Sequence, residues 1–336
     1  MKNKFFLISQ DLNIGVEYLN SLEEELSKRV GKLFILKNEL DGGNKKQPYK
    51  IFYKIARKLS NECLLKKYFF KYREKKIKEV IAKYKKIDYF LILGNVDFSN
   101  FFFEKFKVKF PDAKIVLYLW DKLEYTSWKE KLKYFNYIFS YDRIESKEKD
   151  FIFRPTFYVN ECLNDIPENK KNDLYYIGGL REEKRYDYLN YLKKYLEKNK
   201  INVCFKLYID KEKKKMLPQN YDKKIIIERK IPYKENIEIL KNSNVVLDLK
   251  YKNQNGLTLR VYEAIGSGIK MITDNEDIIN YDFYNENNIK VIQNISDIEK
   301  IDINFFKTPA EVIDEEIKEK YSVKGFLDEI LKIIEN

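Results

Sequence analysis

Residues 244–275 read NVVLDLKYKNQNGLTLRVYEAIGSGIKMITDN, and this stretch decides the fold by predicting strand, loop, helix and strand in succession. Asn244 to Leu249 is a short apolar run rich in β-branched residues, which is typical of a strand buried on both faces of a parallel sheet. Gly256 allows a sharp turn into a helix from about Leu257 to Gly266, which Gly266 and Gly268 are expected to end. The pattern indicates an α/β protein.

The predicted helix begins at the carboxyl edge of the sheet, where its first amide groups point away from the strands. Unpaired amide donors and the helix dipole both favour a bound anion such as a diphosphate. Glu263, two turns into the helix, could reach a ribose diol. Strand–glycine–helix units also occur for purely structural reasons in α/β proteins, so the unit by itself leaves both interpretations open.

The amino-acid sequence of this unit resembles a known donor site. Residues 262–268 and 270–275 are similar to the segment E-A-hydrophobic-x-x-G … V-I-T-x-N of GT-B glycosyltransferases, especially those that build bacterial lipopolysaccharide and capsule, and residues 256–260 resemble its opening. The resemblance implies a nucleotide-sugar donor, with Glu263 on the ribose hydroxyls. It also implies that the donor pyrophosphate lies at the helix start, near Gly256, Leu257, Thr258 and Arg260.

Two further positions follow from the same resemblance. Residues 176–184 are similar to the first strand and loop of a GT-B C-terminal domain, where an Arg and a Lys often clamp the donor phosphates. Lys184 falls on the Lys, whereas the Arg position holds Gly179, so Arg181 or Arg185 would have to substitute.

Many retaining members of the group place a second Glu eight residues before the ribose-binding one, facing the transferred sugar. Asn255 occupies that position here and is therefore a candidate catalytic residue. Because the Glu is replaced, the sequence leaves open whether the configuration of the sugar is inverted or retained.

The chain of 336 residues is long enough for two domains that each bury a core. Apolar runs alternate with helical patterns in both halves, which predicts two Rossmann-like doubly wound domains facing a cleft, the GT-B architecture. We expect an N-terminal acceptor- and membrane-facing domain at 1–158, a linker at 159–172, a nucleotide-sugar-binding domain at 173–311, and C-terminal helices at 312–336 that pack back across the junction. The predicted strands are 5–9, 32–36, 89–93, 114–119, 137–140, 174–177, 203–209, 225–227, 245–249, 270–273 and 289–292.

The composition excludes several classes of protein. The chain contains no histidine, which removes mechanisms that use a His base, a His–metal site or a Ser–His or Cys–His nucleophile. It also argues against the sugar epimerases of GT-B shape, which usually depend on histidine and carboxylates together. No Gly-x-Gly-x-x-Gly follows the first strand, so a dehydrogenase has little support. No Asp-x-Asp element lies at a strand end, and we expect no cofactor and no divalent ion.

The net charge of +12 is uneven, because residues 1–160 sum to +13 and residues 161–336 to −1. Residues 41–90 interleave Lys and Arg with Tyr and Phe, a pattern that suits an anionic membrane surface or a polyanion such as nucleic acid. A Lys-rich composition with solvated basic faces explains the same stretch equally well. Since surface-polysaccharide acceptors are commonly lipid-linked, we favour the anionic membrane as the partner and do not expect nucleic acid.

Cys63, Cys162 and Cys204 are scattered without pairing or metal-binding spacing, which indicates buried thiols in a reducing compartment. The apolar run from Phe5 to Ile8 is too short for a signal peptide or a spanning helix. The sequence therefore predicts a cytoplasmic protein, peripheral at the inner face of the cytoplasmic membrane.

Candidates for the catalytic base follow the strands of the first half, because ligands gather at the carboxyl ends of doubly wound sheets. Asp121 directly follows the strand that ends near Trp120, so it is the first choice. Asp11, Asp97 and Asp142 hold similar positions after strands. For Asp11, a structural role as the cap of the next helix is at least as consistent with the sequence.

These observations predict a metal-independent glycosyltransferase that moves a sugar from a nucleotide-sugar donor to a glycan or lipid-linked acceptor in lipopolysaccharide or capsule biosynthesis. A non-catalytic nucleotide- or polyanion-binding protein is one alternative, and it would show salt-sensitive binding to DNA or RNA. A degenerate transferase that acts as an assembly partner is another.

Overall fold

The computed structural model describes residues 1–10, 16–36, 75, 78–79, 81–82, 84–96, 98–163, 165–180, 184–210, 213–250 and 254–336. Asp11, Asp97, Arg181 and most of residues 41–90 therefore lie outside the described residues. The chain divides into two compact units, Met1–Arg154 with Ile330–Asn336, and Pro155–Glu329. The division after Arg154 comes earlier in the chain than the predicted linker at 159–172.

The first unit contains a six-stranded parallel sheet in the order β2-β1-β3-β4-β5-β6. Four of the predicted strands have the predicted bounds, and β6 was missed because only two of its residues pair before Pro155. The strands are β1 (Phe5–Gln10), β2 (Lys32–Leu36), β3 (Tyr89–Leu93), β4 (Lys114–Leu119), β5 (Tyr137–Ser140) and β6 (Ile152–Phe153). The helices α1 (Val16–Ser27), α2 (Asn100–Lys109) and α3 (Arg143–Lys149) flank it.

The core of this unit is aromatic. Strands β3 and β4 are buried along almost their whole length, and α2 packs Phe102, Phe103 and Phe106 against them. Trp128 is completely buried, and its indole Nε1 donates a hydrogen bond to the Gly94 carbonyl at 2.9 Å. A buried indole with its one donor satisfied is a stable core element.

The second unit contains another six-stranded parallel sheet, in the order β12-β11-β10-β7-β8-β9. Two parallel sheets with flanking helices confirm the predicted pair of Rossmann-like α/β domains. The strands are β7 (Asn172–Gly179), β8 (Val203–Tyr208), β9 (Ile226–Ile227), β10 (Ser243–Asp248), β11 (Lys270–Thr273) and β12 (Ile289–Val291). The helices that follow β7, β9, β10 and β12 are α4 (Lys184–Lys198), α5 (Tyr233–Lys241), α6 (Leu259–Ser267) and α7 (Ile303–Lys307).

Helix α6 is the helix predicted from residues 257–266, but it begins and ends later. Thr258 is extended and forms the N-cap, while Gly268 ends the helix with φ +60°. Gly266 was expected to terminate the helix and instead lies inside it. A Cβ at Gly266 would approach Tyr158 Cγ to 2.6 Å, so this glycine allows close packing against the segment that enters the unit.

The chain ends with α8 (Glu315–Lys320) and α9 (Val323–Glu335). The amide of Val323 donates to the Tyr158 carbonyl at 3.1 Å, while Ile330–Asn336 group with the first unit. There the Met1 amino group contacts the Glu335 carboxylate at 2.8 Å. Among the described residues, no helix is both long and apolar enough to cross a membrane.

Candidate functional site

The candidate site lies where neighbouring strands β7 and β10 end and α6 begins. The parallel strands deliver Gly178, Gly179 and Asp248 to the same edge of the sheet. A cavity of about 330 Å³ opens there. It is lined by residues from β7, α4, α5 and α6, among them Tyr176, Gly178, Gly179, Arg185, Asn236, Leu249, Thr258, Arg260 and Glu263.

Asp248 organises this edge although no sequence argument singled it out. Its carboxylate is completely buried and accepts hydrogen bonds from Thr258 Oγ1 at 2.8 Å, Arg260 Nη1 at 3.3 Å and Thr273 Oγ1 at 3.3 Å. A charged residue inside an otherwise apolar strand was the signal, because a buried carboxylate requires such partners. Asp248 thereby joins β10, β11 and the start of α6.

This arrangement determines how α6 begins. The Thr258 hydroxyl bonds to Asp248, and the Thr258 side chain makes no capping hydrogen bond to the helix. The first amide groups of a helix need acceptors from outside the helix, and an anionic ligand is a suitable one. The start of α6 can therefore offer amide donors to an anion, and the anion site predicted there stays a prediction.

Arg260 connects α6 to the adjacent strand. Its Nη2 donates to the Ile177 carbonyl at 2.6 Å while Nη1 bonds Asp248, and its guanidinium carbon lies 5.9 Å from the ring centre of Tyr176. These contacts hold the guanidinium at the cavity wall. Arg260 therefore lies beside the expected phosphate position as a fixed positive charge.

Glu263 lies on the second turn of α6 and borders the same cavity. Only 5 % of its surface is exposed, so the carboxylate is directed into the protein beside the cavity instead of into bulk solvent. The neighbouring Tyr175 hydroxyl donates to Asn236 Oδ1 at 2.7 Å, and burial raises the pKa of Tyr175 above its ordinary value. Tyr175 is consequently neutral at physiological pH.

The residues expected to clamp the donor phosphates differ in position. Arg185 lines the cavity, with Nη1 donating to the Tyr176 hydroxyl at 3.2 Å and Nη2 to the Lys250 carbonyl at 3.5 Å. Lys184 is the exposed first residue of α4 and does not line this cavity. Of the two arginines considered from sequence, the structure brings Arg185 to the site, and Arg181 lies outside the described residues.

The loop before α6 is held in place by hydrogen bonds from Asn275, which lies just after the end of β11. Asn275, almost fully buried, donates from Nδ2 to the Asn255 carbonyl at 2.8 Å and to the Gly256 carbonyl at 3.4 Å. Asn255 is thus fixed by its backbone, while its side chain is partly exposed. The sequence analysis gave Asn275 no separate role, and these contacts supply a physical reason for an Asn at the end of the Thr-x-Asn pattern.

Asp121, the predicted base, lies in the first unit. It is exposed and follows Trp120 just beyond the end of β4. Burial, assisted by the nearby Asp142 and Asp121 carboxylates, raises the pKa of Tyr141. Asp142 is completely buried and caps α3 by accepting from the Ile144 and Glu145 amides at 3.0 Å, so its structural role is clear. The catalytic role of Asp121 stays a prediction.

Within the part of the chain that the structure describes, no cluster of three or more Cys, Asp or Glu side chains has the spacing of a metal site. The expectation that no divalent ion is needed stays a prediction.

Comparison with known proteins supports the fold. No protein-family profile matches the sequence, and no curated protein sequence matches it. Among solved structures, the lipopolysaccharide outer core galactosyltransferase WaaB is similar over 99 % of both chains, with a TM-score of 0.54 and 15 % identity. A UDP-N-acetylglucosamine 2-epimerase from Rickettsia bellii is similar over 99 % of this chain and 96 % of its own, with a TM-score of 0.52 and 11 % identity.

At these identities the similarity concerns the fold. The chain has the two-domain GT-B fold that includes glycosyltransferases of lipopolysaccharide biosynthesis, and the resemblance of residues 256–275 had predicted it. Because an epimerase shares the fold, the assignment of a reaction depends on the residues of the site.

Proposed function

We propose that the chain is a glycosyltransferase that moves a sugar from a nucleotide-sugar donor to a glycan or lipid-linked acceptor of bacterial surface polysaccharide. The observation that carries the proposal is the buried carboxylate of Glu263 beside a cavity that begins at the start of α6. A nucleotide sugar presents a ribose diol and a diphosphate a few bonds apart. The cavity offers an acceptor for the diol and amide and guanidinium donors for the diphosphate.

The proposal assigns a role to each residue of the site. The amides at Leu257 and Thr258 and the guanidinium of Arg185 bind the diphosphate, and Arg260 adds positive charge from the wall. Glu263 accepts hydrogen bonds from the ribose hydroxyls. Asn255, at the entrance of α6, contacts the sugar that is transferred.

The reaction needs one base and one leaving group. The acceptor hydroxyl oxygen forms a bond to the anomeric carbon, the bond from that carbon to the phosphate oxygen breaks, and the nucleoside diphosphate leaves with the electron pair. Asp121 takes the proton of the acceptor hydroxyl. Amide and guanidinium groups stabilise the leaving diphosphate, so the proposed reaction requires no metal ion.

The absence of histidine from the chain favours transfer over epimerisation, since the proposed transfer uses only a carboxylate base. The similar structures carry names that point to sugars, one a galactosyltransferase and one an enzyme named for UDP-N-acetylglucosamine. Uridine diphosphate is therefore the first nucleotide to test, together with other nucleoside diphosphates and their sugars.

The decisive experiment is nucleotide titration of Glu263 variants by calorimetry and thermal shift. Loss of a charge-assisted contact should weaken binding of the nucleotide by about 1.5–3 kcal/mol in Glu263→Ala, roughly ten- to a hundredfold, and less in Glu263→Gln. Glu145→Ala is the matched control, because Glu145 is also a buried glutamate but belongs to the first unit. Unchanged nucleotide affinity in Glu263→Ala would contradict the assignment.

A lipid-linked acceptor, one of the two proposed, agrees with a basic and aromatic surface in the first unit. Phe101 is 39 % exposed, with Lys78 Nζ at 4.3 Å and Lys105 Nζ at 5.4 Å from its ring centre. An apolar cavity of about 380 Å³ adjoins Phe101, and Lys109 also borders it. Apolar area ringed by lysines suits the interface of an anionic membrane at the cytoplasmic face.

Vesicle sedimentation tests this association. Each basic residue near an anionic leaflet contributes about 1 kcal/mol, so replacing four of them with Gln should release the protein from phosphatidylglycerol vesicles and leave nucleotide affinity unchanged. The four, Lys66, Lys67, Lys71 and Arg73, belong to the basic stretch 41–90 of the sequence and lie outside the described residues. A control that neutralises Lys213, Lys214 and Lys215 of the second unit should keep vesicle binding. Binding that survives the fourfold change, or that occurs only with RNA, contradicts the membrane association.

A further inference from the structure

A cavity of about 980 Å³ lies beside β12, the edge strand of the second sheet. Its lining comes from β11, β12 and the segment 293–311, which contains α7. Among the described residues, it shares no lining residue with the cavity of the candidate donor site. Ligand cavities in proteins have volumes of about 300–1,000 Å³, so this separate cavity can hold a small molecule.

Two lysines form the floor of this cavity. Lys270 begins β11, and the pairing of Ile272 with Lys290 of β12 places these three side chains on one face of the sheet. Phe305 of α7 packs on that face, and its ring lies near both ammonium groups. The distances from the ring centre are 4.8 Å to Lys270 Nζ and 5.5 Å to Lys290 Nζ. Two positive charges therefore share the floor.

The Lys270 ammonium has only neutral hydrogen-bond partners in the described part of the chain. The residue is 5 % exposed, and Nζ donates to Thr308 Oγ1 at 2.6 Å and to the Phe305 carbonyl at 3.4 Å. An ammonium has three donors, so one remains after these two bonds. Burial lowers the pKa of Lys270, and the nearby Lys290 adds to this effect while Glu311 opposes it. A buried charge without a counter-ion is unfavourable, so an anion in the cavity would stabilise the floor.

The acidic groups of the cavity lie at its rim and already have donors. Asp297 forms an ion pair with Lys300 at 2.7 Å, and the exposed Asp302 accepts the Asn304 amide at 2.8 Å. Glu311 is also exposed, and its carboxylate accepts from two asparagine side chains at 2.8 and 2.9 Å. The charge of the cavity is therefore divided, with unmatched positive charge on the floor and negative charge around the rim.

We infer that this cavity binds a phosphate dianion, either free or as the monoester of a small neutral alcohol, with the phosphate on the floor. A phosphate monoester carries about two negative charges near neutral pH and three acceptor oxygens, which match two ammonium groups. A monocarboxylate would leave one ammonium unmatched. A ligand with a second anionic end is disfavoured, because that end would meet the carboxylates of the rim. The inference is independent of the proposed function.

Calorimetric titration of the full-length protein at constant ionic strength tests the inference, with UDP present to occupy the candidate donor site. The probes are inorganic phosphate, glycerol phosphate, and phosphoglycerate, which has the same carbon chain with a carboxylate at its far end. The variants are Lys290→Gln, Lys270→Met and the control Lys194→Gln, since Lys194 is exposed on α4 and does not line the cavity. Lys290 is only partly buried, so its replacement keeps the fold even where Lys270→Met does not.

Glycerol phosphate should bind the wild type and Lys194→Gln equally, about tenfold or more weakly to Lys290→Gln, and not measurably to Lys270→Met. Inorganic phosphate that binds at least as tightly as glycerol phosphate would identify free phosphate as the ligand, and tighter binding of glycerol phosphate would identify a monoester. Phosphoglycerate should bind more weakly than glycerol phosphate, and Glu311→Gln should narrow that difference.

Three results would overturn the inference. The first is that neither phosphate nor glycerol phosphate binds the wild type. The second is that Lys290→Gln leaves the affinity for them unchanged, which would place the anion elsewhere on the protein. The third is that phosphoglycerate binds more tightly than glycerol phosphate, because this order would indicate attraction of any anion to a lysine-rich chain instead of a cavity with a positive floor and a negative rim.

Discussion

Replacing Asp248 with Asn should destabilise the second unit strongly, although asparagine has almost the same shape. The Asp248 carboxylate accepts three side-chain hydrogen bonds, and an amide removes the negative charge that pairs with Arg260 and replaces one acceptor oxygen with a donor. A hydrogen bond to a charged group contributes about 1.5–3 kcal/mol, and breaking a buried ion pair costs about 3–5 kcal/mol. Because the Arg260 side chain keeps 20 % exposure, we expect the low end, about 3 kcal/mol.

Urea unfolding and calorimetry measure this loss. For a unit of this size, a loss of about 3 kcal/mol lowers the melting temperature by roughly 6–12 °C. Asp274→Asn is the control, because the Asp274 carboxylate is only partly buried and accepts a backbone amide in the same region. An Asp248→Asn protein within about 0.5 kcal/mol of the wild type, which is the scatter of neutral surface changes, would refute the reasoning.

Five further outcomes are expected. Gly266→Ala should cost about 1–3 kcal/mol of stability by urea unfolding, because its Cβ would lie 2.6 Å from Tyr158 Cγ. Asp121→Asn should abolish sugar transfer and leave nucleotide affinity near the wild type, while Asn255→Ala should lower turnover more than nucleotide binding. Burial raises the pKa of Tyr175 above 10.0, so the unfolded state releases the proton first, and Tyr175→Phe should reduce the fall in stability as pH rises past 10.0. Removal of divalent ions with EDTA should change neither donor binding nor transfer.

The strands could be predicted well because apolar, β-branched runs stand out in a chain rich in Lys and Asn. Strand β11 has the predicted bounds from Lys270 to Thr273. Strand β6 could not be found this way, since its two residues have no periodicity. Gly266 was misassigned for another reason. A glycine near a helix end predicts termination, and only the tertiary structure reveals that Tyr158 needs the space of its missing side chain.

The sequence suggested the candidate site but did not identify the residues that hold it in place. Gly256 and Glu263 follow from a local pattern, whereas Asp248 depends on partners from α6 and β11 that come together only in three dimensions. The choice between Lys184 and Arg185 shows a similar limit. Adjacent residues on a helix point about 100° apart, so the packing of α4 against the sheet decides which of the two meets the cavity, and the sequence does not specify that orientation.

The double anchoring of Arg260 has a consequence for the thermodynamics of donor binding. A free arginine side chain loses about 2 kcal/mol of rotamer entropy when a ligand immobilises it. Both amino groups of Arg260 are already hydrogen-bonded to Asp248 and to the Ile177 carbonyl, so that cost falls on folding and not on association. Under the proposed function, the positive wall of the cavity therefore exists before a donor arrives, and it persists after the diphosphate has departed.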